Sequence, residues 1–184
     1  MLPVLFAGSI FFHLSSFGQP AWTIFNEVNS QLPQNTIRCI AVDSQNRKWV
    51  GTDWGLAVYN DITWTNYNIT NTGGGLTDNG IRCISFDKLG NTWIGTFNGG
   101  ACRFDGTNWT SYRVSNSGIP DDFVKAIAFD TAGHQWFGTP SGLAKYNGSA
   151  WQIWDINNSP LLSNHITCIA IGSNDMKYLG TLNG

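Results

Sequence analysis

A four-residue phrase, an aromatic residue followed by an apolar residue, glycine and threonine, occurs four times in this sequence. The copies begin at Trp49, Trp93, Trp136 and Tyr178, so successive copies lie 44, 43 and 42 residues apart. A period of about 40 to 50 residues with turn residues between short apolar runs is typical of propeller blades, because one blade buries its faces only against its neighbours. The spacing therefore predicts an all-β fold.

Each unit contains four short runs rich in β-branched and aromatic residues, which we label strands A to D. In the first unit, strand A covers 37–43, strand B carries the phrase and strand C covers 55–59. Strand D begins with tryptophan in every unit, and a lone D strand stands at 22–25. The predicted units are about 22–63, 64–108, 109–150 and an incomplete 151–184. We expect a β-propeller of four-stranded antiparallel blades, about four repeats long. Because the fourth unit stops after strand B, we expect these repeats to be a fragment of a larger propeller.

Turn residues separate the strands in register. Asp87 and Asp130 open the A–B turns, with glycine three residues later, and Gly172 replaces this aspartate in the fourth unit. These aspartates belong to separate blades, so turn capping is favoured over a calcium site, which needs several oxygens from one loop. We expect the fourth turn, where Tyr178 also replaces the tryptophan, to be relaxed without a change of fold.

At these residues the chain resembles the two-component regulator propeller repeats. Their pattern is an Ile-x-x-Ile-x-x-Asp strand, a Gly-Asn turn, a Trp-x-Gly-Thr strand and then Gly-Leu-x-x-Tyr, and the resemblance covers about 22–184. Such repeats form the extracytoplasmic sensor portion of hybrid histidine kinases that respond to carbohydrate, and they also occur in secreted proteins without a kinase. The resemblance implies a sensor that responds to carbohydrate, and exposed aromatic residues on a binding face leave a peptide as the other candidate ligand.

Residues 1–18 carry no charge and run apolar before Ser16-Phe17-Gly18, a small-x-small cleavage site. They predict a signal peptide, with 19–184 as the partial propeller and a periplasmic or secreted location. No lysine or arginine precedes the apolar run, and a buried apolar strand is the alternative. A membrane span is disfavoured because it needs roughly 20 apolar residues.

Composition excludes several classes of function. Charged residues make up 12% of the chain, its formal net charge is −2, and no basic run occurs, which argues against nucleic acid or an anionic membrane as a partner. Outside residues 1–18 the histidines are His134 and His165, which we place on opposite faces of the propeller. We expect no catalytic cluster in this portion and no cofactor.

The cysteines are interpreted as packing residues. Cys39, Cys83 and Cys168 share one strand A position, and Cys102 lies in strand C. Equivalent positions on adjacent blades are expected to be farther apart than the roughly 7 Å that a disulfide tolerates between Cα atoms. No pair has Cys-x-x-Cys spacing, so neither a disulfide nor a metal site is predicted.

One face carries the candidate binding residues. Strand A opens with Arg38, Arg82 and Lys125, which predicts a basic ring at the mouth of the central channel, with solvated strand ends as the alternative. Eight of nine tryptophans fall in strands B and D and are interpreted as core. Trp54 lies in a B–C loop, with Phe97 taken as its counterpart, and both are candidates for stacking on a ligand. The alternative is that Trp54 covers a neighbouring blade.

These features predict a non-catalytic extracytoplasmic recognition propeller, the N-terminal part of a sensor whose partners are the remaining blades or downstream signalling domains. A secreted adhesion or scaffold propeller is the first alternative. A propeller lyase or hydrolase is the second, and it would need a catalytic cluster in further blades.

Overall fold

The chain is described by a computed structural model over residues 4–6, 9–10 and 22–183. Every helix or strand element in these ranges is a β-strand. The strands are β1 Val4–Phe6, β2 Ser9–Ile10, β3 Thr23–Phe25, β4 Ile37–Val42, β5 Lys48–Thr52, β6 Gly55–Tyr59, β7 Trp64–Tyr67, β8 Ile81–Phe86, β9 Thr92–Thr96, β10 Ala101–Phe104, β11 Trp109–Tyr112, β12 Ala126–Phe129, β13 Gln135–Thr139, β14 Gly142–Tyr146, β15 Trp151–Trp154, β16 Ile166–Ile171 and β17 Lys177–Thr181.

Three antiparallel sheets of four strands form blade 1 (β4–β7), blade 2 (β8–β11) and blade 3 (β12–β15), each in chain order. The strands β16 and β17 form a two-stranded hairpin that supplies strands A and B of a fourth blade. The all-β propeller architecture predicted from the repeat is confirmed. Each blade begins at strand A, so the D strand that opens each sequence unit belongs to the preceding sheet.

The lone D strand β3 stands against blade 1. The Phe25 ring lies 5.1 Å from the Tyr59 ring and 5.3 Å from the Trp64 ring, centroid to centroid. The strands β1 and β2 join β3 in a three-stranded sheet, with β1 parallel to it. Most of the predicted signal peptide lies outside the described residues, and its cleavage stays a prediction. No helix in the described ranges is long and apolar enough to cross a membrane.

The A strands of successive blades face one another, with β4 against β8, β8 against β12, and β12 against β16. Glycine in the repeated phrase permits this close approach. A Cβ atom on Gly51 would lie 2.5 Å from Cys39 Sγ and 2.6 Å from Ile81 Cγ2 of the next blade. Real Cβ atoms do not approach so closely, so a side chain at this position would push strand A of both blades away.

Strand B tryptophans fill the space between blades. Trp49 is 1% exposed and contacts the rings of Phe86 and Phe104 in blade 2, and Trp93 makes the same kind of contacts with Phe129 and Phe137 in blade 3. The D-strand tryptophans are less deeply placed. The interpretation of Trp22 as a core residue is wrong, because 43% of its surface is exposed beside β3.

The A–B turn aspartates bind the same tryptophans. The Nε1–H groups donate to carboxylate Oδ2 atoms over 2.9 to 3.0 Å, in the pairs Trp49–Asp43, Trp93–Asp87 and Trp136–Asp130. Burial opposes ionisation of Asp87, but hydrogen bonds from Trp93 and Asn91 outweigh it, and its pKa is lowered. Turn capping by this column is confirmed. In the fourth unit both partners change together, to Gly172 and Tyr178, and the hairpin still forms.

All four cysteines are free thiols. Burial raises the pKa of Cys39 to about 12 and also raises the pKa of Cys83 and Cys102, so these thiols are protonated packing groups at neutral pH. Within the described ranges, no three histidine, cysteine, aspartate or glutamate side chains are grouped closely enough to hold a metal ion.

Candidate functional site on the upper face

The D–A and B–C loops lie on one side of the blades, which we call the upper face, and the A–B and C–D turns form the lower face. An asparagine in each D–A loop fixes the start of that loop. Its side-chain oxygen accepts a backbone N–H three residues earlier over 2.7 to 2.9 Å, at Asn29, Asn71, Asn116 and Asn158. Such Asx hydrogen bonds give all four loops the same starting direction.

At the upper rim, strand A of each of three units carries a β-bulge. In blade 1 the register shifts between Ile37 and Cys39, so Arg38 is the extra residue. Arg82 and Thr167 occupy the same position in their strands. In blade 3, Lys125 stands just before β12 and its N–H donates to the Gly138 carbonyl over 2.9 Å. Bulges re-aim side chains at sheet ends, and here they set the direction of Arg38 and Arg82 at the upper rim. That the cations surround the mouth of a central channel stays a prediction.

A carboxylate that the sequence analysis missed interrupts the expected basic ring. Asp53 accepts hydrogen bonds from Arg38 Nε over 2.9 Å and Arg38 Nη2 over 2.5 Å, and from Arg82 Nη1 over 2.6 Å. The bonds from Arg38, with those from Arg82, lower the pKa of Asp53 to about 2. Two guanidinium groups from adjacent blades therefore share one negative charge.

Aromatic side chains continue the contacts from Arg82 toward blade 3. The Arg82 guanidinium carbon lies 4.8 Å from the Phe97 ring centroid, and the Phe97 and Phe123 centroids are 4.8 Å apart. Lys125 Nζ lies 5.1 Å from the Phe123 centroid and 2.5 Å from His165 Nε2. The Arg82–Phe97 and Lys125–Phe123 distances are typical of cation–π contacts. The side chains in this unbroken series, which we call the upper-face strip, are Arg38, Asp53, Arg82, Phe97, Phe123, Lys125 and His165.

The sequence predicted Arg38, Arg82, Lys125 and Phe97 as binding residues, and the structure brings these four together. The contacts between them run through Asp53, Phe123 and His165, which were not among the predicted binding residues. Asp53 could have been found from the repeat, because it is the first residue after the phrase, as Phe97 is in the next unit. Phe123 and His165 belong to D–A loops whose sequences differ between units, so they gave no signal in the alignment.

Trp54 is separate from the strip. Its position corresponds to Asn98 and Ser141, one residue beyond Phe97 and Pro140, and its N–H donates to Thr52 Oγ1 over 3.1 Å. The indole is 64% exposed, and no ring or cation among the described residues packs on it. It is therefore presented to solvent beside Asp53 rather than covering a neighbouring blade.

Three exposed apolar side chains, which we call the apolar rim, lie on the same face as the strip. Ile69, Val114 and Ile156 are exposed at the same position of three D–A loops, where each N–H donates to an asparagine or aspartate side chain over 2.7 to 2.9 Å. Phe97 itself is 50% exposed. The upper face thus combines ring surfaces with fixed cations, a combination suited to binding a polar ligand with apolar faces.

The family model of the two component regulator propeller matches residues 31–54 and 75–98. These two segments are similar to two-component regulator propeller repeats. Each repeat runs from the end of a D–A loop through strand A to the B–C loop, and together they contain Arg38, Asp53, Arg82 and Phe97. No curated protein sequence matches the chain at a significant level.

Solved structures have a similar fold. The extracellular domain of the proposed hybrid two-component system BT3049 from B. thetaiotaomicron is 25% identical over 91% of this chain and 23% of its own, with a TM-score of 0.78. PorZ, a surface component of the type-IX secretion system of Porphyromonas gingivalis, is 20% identical over 83% of this chain and 26% of its own, with a TM-score of 0.65. This chain spans about a quarter of each.

Virginiamycin B lyase from Staphylococcus aureus is 15% identical over 79% of this chain and 49% of its own, with a TM-score of 0.62. At this identity the likeness shows a common propeller fold alone.

On the lower face, the two repeats enclose a cleft of about 490 Å³ between blades 1 and 2. Its carboxylates include Asp43 and Asp87, each of which accepts four hydrogen bonds from its own turn and the strand B tryptophan. These groups hold the turns together. His134 likewise contacts Asp130 in its own turn, 2.9 Å away on the lower face, whereas His165 lies on the upper face.

Proposed function

We propose that this chain is the recognition portion of an extracytoplasmic sensor, and that it binds a carbohydrate or peptide ligand on the upper face without catalysing a reaction. The continuous strip from Arg38 to His165 carries this proposal, because it spans three blades and the start of a fourth on one face. The similarity to an extracellular domain of BT3049 supports it, and a periplasmic or secreted location is part of it.

Stacking and charge would act together in binding. Phe97 and Trp54 offer exposed ring faces on which a sugar ring or an aromatic side chain can pack. Arg82 and Lys125 supply donors beside the rings, and the Asp53 carboxylate holds Arg82 in position. A ligand that contacts residues from adjacent blades would stabilise one arrangement of those blades, and downstream signalling domains would read that arrangement.

The test is ligand binding by the full-length protein in a screen of oligosaccharides and peptides, followed by calorimetric titration of the hits. Phe97→Ala and Arg82→Gln are expected to weaken binding at least tenfold, because each removes a contact made directly to the ligand. Trp54→Ala is expected to weaken it less, since Trp54 lies beside the strip.

Leu89→Ala is the matched control, because Leu89 is an exposed apolar residue of the lower face. Affinity unchanged by the substitutions at Phe97, Arg82 and Trp54 would remove the site.

The apolar rim of Ile69, Val114 and Ile156 favours a second candidate, a scaffold propeller whose upper face docks a protein. Charged substitutions at all three rim residues, such as Val114→Glu, would then abolish capture of the protein partner. The sensor proposal expects small-ligand affinity to be little changed by them, so the two candidates give different results.

A further inference from the structure

The cations of the upper-face strip differ in how their charge is compensated. Arg38 and Arg82 share the Asp53 carboxylate. Lys125 instead contacts His165, and neither residue forms an ion pair with a carboxylate in the described part of the chain. The Lys125 end of the strip therefore carries positive charge with no negative partner of its own.

The carboxylates nearest in sequence to Lys125 are already engaged. Asp121 accepts the Phe123 N–H over 2.8 Å and the Ser141 hydroxyl over 2.7 Å. Asp122 accepts the Val114 N–H over 2.8 Å and pairs with Arg113 at 3.5 Å. Neither contacts Lys125 or His165, so the charge of Lys125 is left for a ligand.

The Lys125–His165 contact defines what kind of group fits there. An ammonium only donates, so His165 Nε2 is the acceptor in this contact. An anion bound beside the pair would accept a hydrogen bond from the ammonium. Because both side chains are half-buried, a charge-assisted hydrogen bond here is stronger than one made in open water.

We propose that the ligand of the upper face is an acidic oligosaccharide whose carboxylate binds at Lys125 and His165. This inference rests on the proposed function and names the ligand class of the same site. The saccharide is taken from the proposed function, in which a sugar ring packs on the half-exposed Phe97 ring. The Phe97 centroid lies 4.8 Å from that of Phe123, over which Lys125 lies, so an oligosaccharide that extends from Phe97 along the strip would bring an acidic unit toward Lys125.

The experiment compares a glucuronate-containing oligosaccharide with its carboxyl-reduced, neutral form in calorimetric titrations of the full-length protein. The acidic form is expected to bind at least tenfold more tightly. Lys125→Gln should abolish this preference and Lys125→Arg should retain part of it. Lys48→Gln, at a lysine paired with Asp61 in blade 1, should leave it unchanged.

Equal affinity for the acidic and the neutral saccharide overturns the inference. The proposed function survives that result if Phe97→Ala weakens the binding of both saccharides. Binding of glutamate-rich peptides with no binding of either saccharide overturns the choice of a saccharide. If Phe97→Ala changes neither titration, the proposed function fails as well.

Discussion

At the scale of single residues, the repeat distinguishes positions that stabilise the fold from positions that are available to bind a ligand. Asp87 and Trp93 illustrate the first kind, because the carboxylate caps a turn and also accepts the indole N–H. In the fourth repeat Gly172 replaces the aspartate and Tyr178 replaces the tryptophan. This joint replacement is expected if the two side chains depend on each other. Arg82 and Phe97 illustrate the second kind, because their counterparts differ from blade to blade.

Removing the turn carboxylate should destabilise the fold. Asp87→Ala leaves the buried Trp93 Nε1–H without an acceptor, and we expect the free energy of unfolding to fall by about 1 to 3 kcal/mol in urea titrations. Asp87→Ala in a Trp93→Phe background should cost less, because the unpaired donor is then absent. Equal costs in both backgrounds would show that the two side chains are not coupled.

The shared carboxylate makes stability depend on acid pH. The pKa of Asp53 is about 2 in the folded chain, below its ordinary value of 3.8, so its stabilising effect is complete above about pH 4 and is lost as pH falls toward 2. Asp53→Asn should therefore lose less stability than the wild type between pH 5 and pH 2, measured by urea midpoints. A parallel fall in both proteins would contradict the bridging role.

Sequence alone predicted the cations of this face but not their partner. The B–C loop has two residues in blade 1, Asp53 and Trp54, and four in blade 2, from Phe97 to Gly100. Because the loops differ in length, aligning their aromatic residues paired Trp54 with Phe97. The residue that does correspond to Phe97, Asp53, was then overlooked. Contacts such as Phe97 with Phe123 join different blades, and no pattern within one unit can reveal them.

At the scale of elements, strands A to D could be predicted almost in full, because alternating apolar residues and turn glycines recur in register. The bulges at Arg38, Arg82 and Thr167 could not, since an extra residue in one strand shows only when its pairing partner is known. They matter for function because they set where the strand A side chains point.

At the scale of elements, the phrase glycine tolerates little change. A Cβ on Gly95 would overlap Cys83 Sγ and lie 2.7 Å from the Val124 carbonyl oxygen of blade 3. Gly95→Ala should therefore lower the free energy of unfolding by at least about 2 kcal/mol, because backbone must move.

Gly74→Ala is the comparison. Gly74 has a φ of +84° but open space around it, so only the backbone conformation is penalised, by about 1 kcal/mol. A larger loss at Gly74 than at Gly95 would contradict the close packing of the A strands.

At the scale of the whole molecule, the stacking of blades followed from the period, and within the described residues the blade 3 flank is only partly covered. Blade 2 covers blade 1 with Phe104 and Trp109, whereas the described residues packed on the blade 3 flank belong to the following D–A loop and to β16 and β17, such as Leu161 and Leu179. Trp136, Leu143 and Leu179 line an open cavity of about 230 Å³ there, and Tyr178 is exposed on the opposite face of the β16–β17 hairpin. An open apolar flank of this kind promotes association.

We therefore expect this chain, expressed alone, to self-associate in sedimentation velocity experiments. Tyr178→Glu should reduce the association, because it places a charge on the exposed outer face of the β16–β17 hairpin, whereas Ile62→Glu in blade 1 should have little effect. A monomer that also melts cooperatively in calorimetry would contradict this expectation.

The most direct test of ligand recognition on the upper face is hydrogen–deuterium exchange of the full-length protein with and without a bound ligand. We predict slower exchange in the B–C and D–A loops, at residues 53–55, 68–80, 97–100 and 113–125, and unchanged exchange in the lower-face turns at 43–47 and 87–91. Protection confined to the lower-face turns, or to residues outside this chain, would contradict the account.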